Sequence, residues 1–132
     1  MRRLMAAVVA GVVAPLVLLV ASSGGSTAKA PVVGVSVSKV QAHAAKVTGK
    51  IKPEGSETAY TIWIDPGCSG GACERFPPRE AKTGEVAGGK STVAVSVTVR
   101  ELPEATNNNE AWLEATNAVG TTKSKVRVFK TK

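Results

Sequence analysis

From Pro31 onward, apolar and polar residues alternate in short runs. Val33, Val35 and Val37 alternate with Gly34, Ser36 and Ser38; Ala45, Val47, Gly49 and Ile51 alternate with Lys46, Thr48, Lys50 and Lys52. Tyr60, Ile62 and Ile64 alternate with Thr61, Trp63 and Asp65, and Val93, Val95, Val97 and Val99 with Ala94, Ser96, Thr98 and Arg100. A period of two means that successive side chains leave opposite faces of a strand, one face packed and one wet. Pro53-Glu54-Gly55-Ser56 and Asp65-Pro66-Gly67 supply turn chemistry between runs. A polar stretch from Glu74 to Lys90 shows no such alternation, and two further strands follow it, one ending near Thr122 and one running to Thr131. About seven short strands without long helical repeats predict an all-β fold, an antiparallel two-sheet β-sandwich.

The first thirty residues follow different rules. Arg2 and Arg3 are followed by an uncharged apolar run, Leu4 to Val20, and then by small and polar residues from Ala21 to Ala30, the layout of a secretory signal peptide. Cleavage is expected after Ala28, or after Ala30, where Pro31 at the next position is unfavourable. No cysteine closes the apolar run, so a lipoprotein anchor is not supported. The competing reading is an uncleaved anchor, at the short edge of a spanning helix and interrupted by Pro15. Residues 31–132 are then one domain, large enough for a single two-layer core, and the expected location is secreted, extracellular or in the cell envelope.

The motifs carry a family resemblance. Val47-Thr48-Gly49-Lys50-Ile51-Lys52-Pro53-Glu54-Gly55 resembles the second strand and following turn of divergent bacterial fibronectin type III domains. Ala115-Thr116-Asn117-Ala118-Val119-Gly120-Thr121-Thr122 resembles the close of their sixth strand, and Leu102-Pro103 the leucine and proline before it. The resemblance covers about Ala45 to Thr131 and implies a fibronectin type III or immunoglobulin-like sandwich. It departs at the corner between the fifth and sixth strands, where the position of the expected tyrosine falls near Asn109. Asn117 and Gly120 read as structural turn residues, Gly120 supplying positive φ and Asn117 a short polar side chain for loose backbone groups. A fold of this kind hosts many binding roles and names no ligand.

Charge and candidate chemistry change this picture little. The formal net charge is +7, and removing Arg2, Arg3 and Lys29 from 17 basic residues leaves 14 against 10 acidic ones, near +4. Lys123, Lys125, Arg127, Lys130 and Lys132 occur with no acidic residue among them, which reads first as protection of an exposed edge strand and second as polyanion binding. Cys68 and Cys73 enclose Ser69-Gly70-Gly71-Ala72, and in an exported chain the expectation is a disulfide, worth about 2 kcal/mol for so short a loop. Gly84-Glu85-Val86-Ala87-Gly88-Gly89-Lys90-Ser91 spells a phosphate-binding loop, but alternating valines follow it where a helix is required, so no nucleotide is expected. Asp65 is the sole aspartate and His43 the sole histidine, with no spacing that suggests a catalytic base or metal ligand. The chain therefore reads as a non-enzyme with no cofactor, no metal and no specific nucleic-acid partner.

The tryptophans are the best candidates for contact. If Tyr60, Ile62 and Ile64 and then Ala111, Leu113 and Ala115 face the core, Trp63 and Trp112 point outward on neighbouring strands, with Thr61, Glu114 and Thr116 around them. Exposed tryptophan is costly unless covered or used, so this face is the candidate binding surface for a protein or carbohydrate at the cell envelope. The competing structural readings are that a loop covers the indoles or that they stack on each other. A second functional class, a small exported inhibitor or effector, would instead use the loop 65–78, with Arg75 and Phe76 as contact residues.

Overall fold

The computed structural model describes residues 28–67 and 77–132. The apolar N-terminal run lies outside the described residues, as do Cys68, Cys73, Arg75 and Phe76, and with them the signal-peptide, disulfide and contact-loop expectations.

Among the described residues, eight strands form two antiparallel sheets. They are β1 (Val32–Ser38), β2 (Ala45–Lys52), β3 (Thr58–Asp65), β4 (Arg79–Val86), β5 (Val93–Val99), β6 (Asn109–Thr116), β7 (Thr121–Lys123) and β8 (Arg127–Phe129). One sheet has the order β1-β2-β5; the other runs β4-β3-β6-β7, with β8 also paired to β6. This is a β-sandwich consistent with a fibronectin type III or immunoglobulin-like topology. The alternation read from the sequence sets which face is buried: Ala45, Val47, Ile51, Tyr60, Ile62, Ile64, Val99, Ala111, Leu113 and Ala115 line the inter-sheet core. Gly49 also faces inward, and a Cβ there would collide with the Leu113 side chain, so the missing methyl lets the sheets approach.

Three features differ from expectation. The polar stretch 74–90 contains β4, an edge strand whose register against β3 shifts between Ile62 and Trp63, with Ala81 as the extra residue, so its alternation is broken. The final strand is split: β7 pairs Thr116 with Thr121, whereas β8 pairs Ala111 with Arg127, a register offset of one residue. Ser124 explains the offset, because its hydroxyl takes the Leu113 N–H at 2.9 Å in place of a carbonyl while its own N–H reaches the Leu113 carbonyl at 2.8 Å. Lys125 and Val126 then stand together opposite Trp112, a bulge. Finally, Gly120 does not adopt positive φ; among the described glycines Gly55 does, at 90°. Asn117 makes the turn without it. Its Oδ1 accepts from the Val119 and Gly120 N–H groups, and its Nδ2 donates to the carbonyls of Lys29 at 2.7 Å and Pro53 at 3.1 Å.

At the opposite end, Asn109 occupies the corner where a tyrosine was expected. It is fully buried, accepts from the Gly67 N–H at 2.9 Å and donates to the carbonyls of Thr106 and Phe129. Thr131 completes the corner: its hydroxyl accepts from the Thr106 N–H and donates to the Pro103 carbonyl at 2.6 Å. His43 belongs here too, with Nδ1 2.8 Å from the Leu102 carbonyl and Nε2 3.9 Å from Glu104.

Candidate functional site

The outer face of the β4-β3-β6-β7 sheet is built by parity. Because Ile62, Ile64, Ala111 and Leu113 are buried, Trp63 and Trp112 project from the other side, and the register pairs them directly across β3 and β6. Their rings stack, with centroids 6.3 Å apart and planes inclined at 15°. The Lys123 ammonium, brought alongside by the β6–β7 pairing, lies 4.8 Å from the Trp112 ring centroid, a cation–π contact that no single-strand pattern reveals.

The indoles are half-buried rather than fully exposed, and each spends part of its surface on the other. Both Nε1 atoms are buried and make no hydrogen bond, so two donors on this face are desolvated without a partner. Burying an amide-like donor unpaired costs about 1–3 kcal/mol. The expected neighbours fall into two groups. Thr61 pairs with Glu114 across β3 and β6, one row from the tryptophans, whereas Thr116 is two rows away opposite Ala59, its hydroxyl 2.8 Å from that of Thr121.

Beside the stack lies a shallow depression of about 370 Å³ over Thr61, Thr83 and Gly84, rimmed by Glu85, Glu114 and Thr116. Gly84 is required here, since a side chain would strike the Tyr60 phenol. The register places Glu80 opposite Trp63, Glu85 opposite Ala59 and Glu110 opposite Asp65. Asp65, Glu80, Glu85, Glu110 and Glu114 thus share one sheet face of a chain whose net charge is positive. Sequence reading missed this cluster because Glu80 and Glu85 belong to β4, and the two-fold pattern that would have aligned them is absent there.

The phosphate-loop spelling runs from the end of β4 into the turn before β5: Gly84 to Val86 are extended in β4, Ala87 to Ser91 form the connection, and Val93 opens β5. Among the described residues no group of three or more histidine, cysteine or acidic side chains is placed to hold a metal ion. No described helix is long and apolar enough to cross a membrane.

No protein-family model and no curated protein matches the chain. Among solved structures, it is similar to the sensor domain of the anti-sigma factor RsgI4 of Pseudobacteroides cellulosolvens, with a TM-score of 0.54 at 14% identity, covering 76% of this chain and 88% of that one. The likeness is one of fold.

Proposed function

We propose that this chain is an exported, fibronectin type III-like β-sandwich that acts as a non-catalytic binding or structural module in the cell envelope or outside the cell. The N-terminal layout supports export, and the fold it shares with the sensor domain of an anti-sigma factor supports a role in contact rather than catalysis. Removal of the leader after Ala28 fits the packing better than removal after Ala30. The Lys29 N–H donates to the Glu54 carbonyl at 3.2 Å, and the Lys29 carbonyl accepts from Asn117, contacts that the later cut would delete.

The observation that carries the finer reading is the half-buried Trp63–Trp112 stack, one row along the sheet face from a depression lined by hydroxyls and carboxylates. Aromatic surface offers the apolar side of a sugar ring a place to rest, while Thr61, Thr83, Glu85 and Glu114 offer partners to its hydroxyls. A neutral carbohydrate is therefore the ligand class that suits the face best. The test is titration of residues 29–132 with cellohexaose, chitohexaose and xylohexaose, read by tryptophan fluorescence. One of them should perturb the signal saturably, and Glu114→Gln should weaken that binding at least tenfold with the near-ultraviolet dichroism unchanged. No response to any of the three, or loss of folding when both tryptophans are replaced by alanine, would assign the stack to packing.

A further inference from the structure

The other outer face of the sandwich has the opposite character. Parity turns Lys46, Thr48, Lys50 and Lys52 of β2 outward, since Ala45, Val47 and Ile51 are buried. The central position of β2 sets short residues on both sides of this row. Lys46 stands between Ser38 and Thr98, Thr48 between Ser36 and Ser96, and Lys50 between Gly34 and Ala94. No carboxylate and no aromatic residue is among the outward positions of β1, β2 and β5.

At one end the row opens into a concavity of about 460 Å³ lined by Lys39, Gln41, Lys46, Ser96, Thr98 and Arg100. Among the described residues Lys39, Lys46, Lys50 and Arg100 make no ion pair, whereas Lys52 is drawn to Glu54 at 3.5 Å. Four unpaired cations thus follow one strand and its end, on a floor of glycine, alanine, serine and threonine.

From this geometry we infer that the outer face of the β1-β2-β5 sheet is a track for a linear phosphodiester polymer lying along β2, its phosphates on Lys50 and Lys46 and its end in the Lys39–Arg100 concavity. Outward side chains on a strand recur about every 6.8 Å, so Lys46 and Lys50, with Thr48 between them, stand about 13.6 Å apart, a separation that alternate phosphates of a stretched phosphodiester chain can follow in single file. The short flanking residues leave room for a chain one unit wide, and hydroxyls of Ser36, Ser96 and Thr98 border it. The absence of an aromatic platform argues against a base-bearing strand, because single-stranded nucleic acid is held by stacking as well as by charge.

The probe is end-labelled poly(glycerol phosphate), followed by fluorescence anisotropy over a salt series with the protein containing residues 29–132. Four phosphate contacts give a slope of log K against log salt of about −3. Replacing Lys46 and Lys50 together by glutamine should weaken binding at least tenfold and reduce the slope by about 1.4, two contacts' worth. Replacing Lys125 and Lys130 by glutamine should change affinity less than twofold. Near-ultraviolet dichroism checks that each variant is folded, and charge-reversing Lys50→Glu alone serves if the double variant is not. Absence of binding at low salt, equal losses from both pairs, or binding of oligo(dT) as tight as that of the polymer would overturn the track. So would salt-sensitive self-association abolished by the Lys46 and Lys50 changes, which would give the face to the acidic side of a second copy.

Discussion

A single methyl group separates the two sheets from their correct distance. Gly49 sits in β2 against Leu113 of β6, and both are sealed in the core, so Leu113 has nowhere to retreat. Gly49→Ala is therefore expected to destabilise by about 1–3 kcal/mol, measured by denaturant unfolding, despite the better intrinsic strand propensity of alanine. Asn117 works by hydrogen bonding instead. It joins the β6–β7 turn to the backbone of Lys29 and Pro53 through both atoms of its amide. Asn117→Ala should cost about 2 kcal/mol or more, and Asn117→Asp should do no better, because a carboxylate oxygen would replace the donor facing two carbonyls. That second outcome separates hydrogen-bond geometry from side-chain volume.

Strand edges are managed by cations. Arg79 and Lys82 of edge strand β4 donate to the carbonyls of Arg100 and Ser96 along the free side of β5, and Arg127 of β8 donates to the Val35 carbonyl on the free side of β1. Both open edges of the three-stranded sheet thereby lose acceptors that another strand would use. Replacing Arg79, Lys82 and Arg127 by threonine should leave unfolding free energy within about 1 kcal/mol of the parent, since these bonds are exposed, but should raise aggregation on heating as read by light scattering. The elements also show what the sequence makes legible. The alternations from Val33 to Val37, Ala45 to Ile51, Tyr60 to Ile64, Val93 to Val99 and Ala111 to Ala115 expose the parity of five strands, and with it the sheet face carrying Trp63 and Trp112. Strand β4 is opaque because Arg79, Lys82 and Gly84 occupy inward positions at the rim of the core, and the extra residue at Ala81 throws its apolar contributors, Ala81 and Val86, out of a two-residue alternation. The bulge at Lys125 and Val126 is equally hidden, since it depends on one serine hydroxyl substituting for a carbonyl across the ladder. With β4 and the bulge out of view, Lys123 could not be placed over Trp112, nor Glu80 and Glu85 beside the aromatic pair.

At the scale of the whole molecule, the sandwich is electrically two-sided, with five carboxylates on the outer face of the β4-β3-β6-β7 sheet and unpaired lysines on the other. It is also directional. Lys29 is fastened beside the β2–β3 and β6–β7 turns, while Lys132 is fastened at the far end, its N–H on the Gln41 carbonyl and its carbonyl on the Ala105 N–H. Deleting residues 130–132 should free the 103–106 corner and lower the melting temperature by several degrees, as followed by circular dichroism. The same arrangement governs how the domain answers tension. A pull applied between Lys29 and Lys132 runs parallel to β1, so its seven paired positions against β2 share the load in shear instead of parting one after another. Stretched from those two points in a force spectrometer, the domain should yield at a higher force than when it is held at Ser38 and Ala45, where the same ladder would unzip.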